Sequence, residues 1–147
     1  MDSDRQIRDS IVRLLARREH ASAEVRQRLE ARGFEGDRIE HYIASFQQAG
    51  LLSDARYAEN FARARSQRGY GPRYIRQALM AKEIAAADIS KALAGVGDWG
   101  ELAVSARIKR FGEALPAGFE ERARQMRFLQ QRGFEHDDIR CAMANED

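Results

Sequence analysis

The sequence predicts an all-α fold of three tandem three-helix repeats, set side by side as an elongated, curved array. Three observations carry that expectation. Apolar anchors recur at an interval of fifty residues, as Leu29, Leu79 and Leu129, as Phe34, Ile84 and Phe134, and as Ile39, Ile89 and Ile139. A fixed period of about 20–50 residues marks stacked units that bury their apolar faces against one another. Between the anchors the apolar residues fall at helical spacing, with few β-branched runs and only 2 prolines in 147 residues. Ser, Asp, Gly and Pro stand where helices would start and stop. The expected repeats span 1–52, 53–97 and 98–147.

In the first repeat, Ile7, Ile11, Leu14 and Leu15 make one stripe of a helix that runs to about residue 18. Ser22 fits an N-cap, with Glu24 in the first turn of a helix whose apolar face is continued by Val25 and Leu29. Gly33 ends that helix and Phe34 folds back on it in a Schellman arrangement. A third helix begins near Asp37, turns Ile39, Tyr42, Ile43 and Phe46 inward, and stops at Gly50.

The second repeat follows the same plan. Ser53 or Asp54 caps a helix bearing Tyr57, Phe61 and Ala64, which Gly69 and Gly71 break. Pro72 then occupies the first turn of the next helix, where its missing N–H is tolerated. Ile75 and Leu79 face the core, and Asp88 to about Leu93 supply a short third helix. The third repeat opens at Asp98 and Trp99 and then leaves register. Its first helix ends early, near Gly112, and a loop with Pro116 and Gly118 leads to a longer helix carrying Met126 and Leu129. Gly133, Phe134 and Ile139 restore the register. Residues 95–98, Gly-Val-Gly-Asp, are the expected hinge.

Composition narrows the function classes. Cys141 is the single cysteine, so no disulfide can form within the chain, which suits a reducing cytoplasm; between Ile139 and Met143 it is expected as buried packing. The opening MDSDRQIRDS carries acids where a secretory signal needs basic and apolar residues, so no signal is expected. No run approaches the ~20 apolar residues of a membrane span, so a cytoplasmic protein with no membrane partner is expected. His20, His41 and His136 have no second ligand one helical turn away and are expected to be solvated rather than metal-bound. The glycines stand singly at helix ends, which excludes a phosphate-cradling loop, and no nucleophile has a partner base. No catalytic residue, cofactor or metal is expected, and the protein is not read as an enzyme.

Charge is more informative. Between Arg56 and Lys82 lie seven basic residues and one acid, Glu59, a net of +6, whereas the whole chain is +2 and the remainder therefore −4. Such separation sets up a local field that the overall charge conceals. Arg63, Arg68, Arg76 and Lys82 have basic counterparts at Arg13, Arg18, Arg26 and Arg32, so part of the strip is the repeat's ordinary surface. The neutralising partners differ, because Glu19, Glu24 and Glu30 give way to Gly69, Tyr74 and Met80, and Leu15 to Arg65. Arg65 also suits the last turn of its helix, where a cation favours the dipole. Tyr70 and Tyr74 interleave with the arginines, a pattern fit for nucleotide stacking or for a protein hot spot. The candidate partner or nucleic-acid contacts are Arg56, Arg63, Arg65, Arg68, Tyr70, Arg73, Tyr74, Arg76 and Lys82.

The run SDARYAENFARARSQRGYGPRYIRQALMAKEI, Ser53 to Ile84, resembles the central signature of the bacterial RecX family, regulators of the RecA recombinase. The matching places are Asp54, Tyr57-Ala58, Phe61, Arg65, Gly71 and Arg73-Tyr74-Ile75; the first repeat, with Ser22, Val25, Leu29, Gly33-Phe34, Ile39 and Gly50-Leu51-Leu52, resembles the family's opening. The resemblance implies a protein of three tandem three-helix repeats that binds RecA and, in many members, DNA. It implies docking into the groove of the RecA filament on single-stranded DNA, with slower filament growth or faster loss. Less ATP hydrolysis, strand exchange and LexA-type coprotease action would follow, and with them negative control of recombination, DNA repair and the SOS response. The implied partners are the RecA filament and single-stranded DNA, met directly or through the filament. A monomer is expected, because no long heptad argues for a dimer. The third repeat departs from the pattern in its shifted first helix and its acidic end, Asp137, Asp138, Glu146 and Asp147. The competing classes are a stand-alone DNA-binding module of helix-turn-helix-like repeats and a passive scaffold. Against the former, the third helices at about 37–49, 87–94 and 136–144 carry only Arg38, Lys91 and Arg140.

Overall fold

The computed structural model describes residues 2–144. Glu146 and Asp147, part of the expected acidic end, lie outside the described residues. Nine helices are described: α1 (Asp2–Arg17), α2 (Ser22–Ala31), α3 (Gly36–Gln48), α4 (Asp54–Gln67), α5 (Pro72–Ala81), α6 (Ala86–Ala94), α7 (Trp99–Phe111), α8 (Phe119–Gln131) and α9 (His136–Met143). They form three groups of three, each around its own small core. The accessible surface is 9383 Å², against about 7,600 Å² for a globular monomer of this mass. The excess is what a row of small modules with separate cores produces.

The fifty-residue anchors are the centres of those cores. Leu29, Leu79 and Leu129 are each 0% exposed, and Ile39, Ile89 and Ile139 are buried beside them. One turn is built three times. The residues after α2, α5 and α8 take a left-handed backbone at Gly33 (φ 86), Glu83 (φ 58) and Gly133 (φ 95). The next N–H returns to the helix, from Phe34 to the Leu29 carbonyl at 3.4 Å, from Ile84 to Leu79 at 3.2 Å and from Phe134 to Leu129 at 3.1 Å. This is the Schellman closure, and it folds an apolar residue back under each helix. Glu83 holds without glycine a conformation that costs an ordinary residue about 1–2 kcal/mol.

Helix starts follow the side chains at hand. The Ser53 hydroxyl accepts from the Arg56 N–H at 3.1 Å, Asp98 accepts from the Glu101 N–H at 3.2 Å, and Pro72 opens α5. Ser22 is the exception. It lies inside α2, where its N–H donates to Asp54 at 2.7 Å and its hydroxyl accepts from Gln47 at 2.9 Å, and the Ala21 N–H before it is taken by Glu24 at 3.0 Å. A carboxylate from the next module therefore does the capping expected of the serine hydroxyl.

Two other expectations change. His20 is buried at 3% exposure, with its Nδ1 donating to the Arg18 carbonyl at 3.1 Å, because the chain reverses tightly between α1 and α2. Cys141 is exposed: the inward positions of α9 are taken by Ile139, Ala142 and Met143, and the cysteine lies on the flank facing Gly100. No helix among the described residues is long and apolar enough to cross a membrane.

The modules meet along two seams. At the first, Ala21 enters the core of the second module. At the second, the start of α5 lies against the turn between α8 and α9, with the Gly71 N–H donating to the Arg132 carbonyl at 2.7 Å and the Arg73 N–H to that of Gly133 at 2.9 Å. Only glycines permit this approach. A Cβ on Gly71 would fall 2.4 Å from the Gly133 and Phe134 backbone, and one on Gly133 would fall 2.5 Å from the Tyr74 nitrogen. Trp99 packs on both cores and donates to the Leu93 carbonyl at 3.3 Å. Residues 95–98 are a short link beside this backbone-bonded seam.

Candidate partner-binding surface

The basic strip occupies α4 and α5, and the structure divides its cations into two sets. Three are engaged by carboxylates of neighbouring modules. Arg56 Nε meets Glu19 at 2.6 Å while its two terminal nitrogens donate to the Gly50 and Leu51 carbonyls at 3.1 and 3.3 Å. Lys82 meets Glu24 at 3.2 Å, and Arg76 meets Glu135 at 3.4 Å. The sequence reading that repeat two lacks compensating acids is corrected for these three. Counting within a repeat missed acids that stacking brings from repeats one and three.

Glu24 is the hub of the first seam. Burial pushes its carboxyl up, but hydrogen bonds from Arg18, the Ala21 N–H and Lys82 outweigh burial and hold it at about 2. Arg18 approaches at 3.2 Å, so one carboxylate serves two cations and a helix start. Arg56 and Lys82 thus join the first seam.

Arg63, Arg65, Arg68 and Arg73 form the second set. None of them pairs with a carboxylate among the described residues. Arg63 donates to the Asn60 side chain at 3.4 Å, and Arg65 lies 5.1 Å over the Phe61 ring. Arg68 closes α4. Arg73 is exposed in the first turn of α5, a turn with no acid. A cation at that end opposes the helix dipole by about 0.3–1 kcal/mol. Helix stability therefore does not account for Arg73, whereas Arg65, in the last turn of α4, suits its dipole.

Tyr70 and Tyr74 stack on each other, centroids 4.2 Å apart and planes 24° apart, and both are half-buried. The pair lines the second seam: Tyr74 lies against Gly133, and Arg132 sits 4.7 Å over Tyr70.

Sequence reasoning missed the cations across that seam. Arg132 had a signal, since Arg32, Lys82 and Arg132 recur at the fifty-residue interval. Lys109 and Arg110 had none, because α7 is out of register. Arg107 is a buried cation, 3% exposed, satisfied by carbonyls alone: Ala142 at 2.9 Å, Ala114 at 3.3 Å, and Gly112 and Glu113 at 3.4 Å. It ties the loop after α7 to the end of α9 without a counter-charge.

A stacked array of three-helix modules defines a helical-repeat protein. The chain matches three family models: the first three-helix domain of RecX over residues 8–45, the second over 53–93 and the third over 100–143. It is 40% identical over 142 residues to the regulatory protein RecX of Halorhodospira halophila, covering 96% of this chain and 88% of the relative. It is 42% identical to that of Chromohalobacter salexigens, covering 94% and 91%. The chain belongs to the RecX family, a family of regulatory proteins. The crystal structure of RecX from Lactobacillus salivarius superposes with a TM-score of 0.82 over 94% of this chain and 92% of that one, at 22% identity, and so shares the fold.

Proposed function

We propose that this protein is a negative regulator of RecA, acting in the cytoplasm as a monomer that binds the RecA filament on single-stranded DNA. It slows filament growth and lowers ATP hydrolysis, strand exchange and coprotease action, and so tempers recombination, DNA repair and the SOS response. The observation that carries the reading is Arg73, exposed at a helix start that disfavours it and, like Arg63, Arg65 and Arg68 of α4, without a carboxylate partner among the described residues. Membership of a family of regulators supports it.

The mechanism follows from rigidity and charge. A 14-residue helix such as α4 is about 21 Å long. Three modules abreast therefore reach across more than one protomer of a filament. The free guanidinium groups pair with carboxylates or phosphates lining the groove. A ligand shifts an equilibrium only by its differential affinity for the two states, so inhibition requires a bound geometry that disfavours the active filament or blocks its growing end. The stand-alone DNA-reading module is less well supported, since Arg38 pairs with Asp4 and Arg140 with Asp137. The test is RecA ATPase on single-stranded DNA titrated with this protein. Inhibition well below one molecule per protomer indicates end capping, inhibition only near saturation indicates groove occupancy, and unchanged turnover refutes the proposal.

A further inference from the structure

A cleft of about 240 Å³ opens between the second and third modules, lined by Arg68 and Gly69 at the end of α4, Lys109 and Arg110 of α7, and Phe128 and Arg132 of α8. It brings four cations to one concavity, and none of them pairs with a carboxylate among the described residues. Two of the guanidinium groups are held by rings. Arg132 lies 4.7 Å over Tyr70 and 5.1 Å over Phe128, and Arg110 lies 5.9 Å over Phe128 and 5.3 Å over Phe111. Phe111 and Phe128 meet edge to face at 5.3 Å. Cations and rings thus alternate from Tyr70 through Arg132, Phe128 and Arg110 to Phe111, which fixes the planes of two hydrogen-bonding forks. Arg107, buried one helical turn before Arg110 and bonded to the Ala142, Gly112, Glu113 and Ala114 carbonyls, is a further cation of α7. Arg124, over the far side of Phe111, is paired with Glu121 at 3.1 Å and stands apart from the site.

We infer that this cleft binds the phosphodiester backbone of a single nucleic-acid strand, with Arg110 and Arg132 as phosphate forks and Lys109 and Arg68 as flanking charges. A concavity of four uncompensated cations calls for a ligand that brings several negative charges in succession. A phosphodiester strand carries one per nucleotide, and fixed guanidinium forks match phosphate oxygens in pairs. Apart from Arg68, the charged residues belong to the third repeat and lie outside the basic strip of α4 and α5. The inference rests on the regulator reading only for which strand is met in the cell, and its test uses no RecA.

The experiment is fluorescence anisotropy of labelled oligothymidylate with the full chain across a salt series. The doubly substituted Lys109→Gln, Arg110→Gln protein is compared with an Arg5→Gln, Arg8→Gln protein that loses the same charge on α1. Both α7 residues are exposed and outside the backbone seam, and thermal melting checks that each variant is folded. The α7 pair is expected to weaken binding at least tenfold and to flatten the slope of log K against log salt by about 1.4, two lost single-strand contacts at about 0.7 each. The α1 pair is expected to change binding less than twofold. Arg132→Gln, made separately, is expected to weaken binding as well. Equal losses from both pairs, or no loss from the α7 pair and Arg132→Gln, would overturn the assignment. So would displacement of the strand by polyglutamate as readily as by unlabelled strand, which would make the cleft a dock for an acidic protein.

Discussion

The two seams of this array hold by different chemistry, and the difference decides where its positive charge is left over. The first is ionic: Glu19 on Arg56 at 2.6 Å, Glu24 on Arg18 and Lys82 at 3.2 Å, Asp54 on the Ser22 N–H at 2.7 Å. The second is held chiefly by backbone and rings, through Gly71 and Gly133, Tyr70 and Tyr74. Acids spent on the first seam silence the cations beside it. Around the second, Arg76 meets Glu135, and among the described residues Arg68, Arg73, Lys109, Arg110 and Arg132 pair with no carboxylate.

The largest test of that contrast is steric. Gly71→Ala places a methyl group 2.4 Å from the facing backbone and is expected to cost about 3 kcal/mol. Gly33→Ala, at the turn after α2 with open space around it, should cost only about 1 kcal/mol from its left-handed backbone. Chemical denaturation measures both, and equal losses would erase the distinction between a docked turn and an open one.

Acid should act on the ionic seam instead. The Glu24 carboxyl sits at about 2 in the folded protein against 4.5 as its ordinary value. Its contribution is complete above about pH 4.5 and is lost as pH falls toward 2, a change of about 1–2 kcal/mol after allowance for solvent screening. Hydrogen exchange between pH 5 and pH 2.5, corrected for the intrinsic rate, should show α2 and the start of α4 opening before the α5 to α8 contact. Opening in the reverse order would contradict the ionic assignment.

Smaller effects sharpen the comparison at single residues. Glu83→Gly relieves a left-handed residue at the turn of the second module and should raise stability by up to about 1 kcal/mol. Arg73→Glu should raise it by about 0.3–1 kcal/mol by favouring the α5 dipole. A fall in melting temperature for Arg73→Glu would mean that the side chain holds the seam, contrary to its exposed position.

How much of this was legible in the sequence depended on range. Leu29, Leu79, Leu129 and the turns at Gly33 and Gly133 were readable because a helix end and its returning apolar residue are local events, whereas the turn at Glu83 has no glycine to mark it. Glu19 and Arg56 are 37 residues apart, and only stacking makes them neighbours. That is why a charge count confined to one repeat overstated the free strip. That Tyr74 packs on the Gly133 turn was not legible, because that turn comes from another module. Lys109 and Arg110 lay in the helix that left register, so no counterpart flagged them, whereas the recurrence of Arg32, Lys82 and Arg132 was there to be followed.

The most direct measurement of the central claim is inhibition of RecA ATPase by two doubly substituted proteins, Arg65→Glu, Arg73→Glu and Arg56→Gln, Lys82→Gln, compared at equal concentration with their melting temperatures. The first is expected to lose inhibition at least tenfold while melting as the parent does, and the second to inhibit normally while melting lower. Full inhibition by the first protein, or its loss in a still-folded second one, would contradict the account.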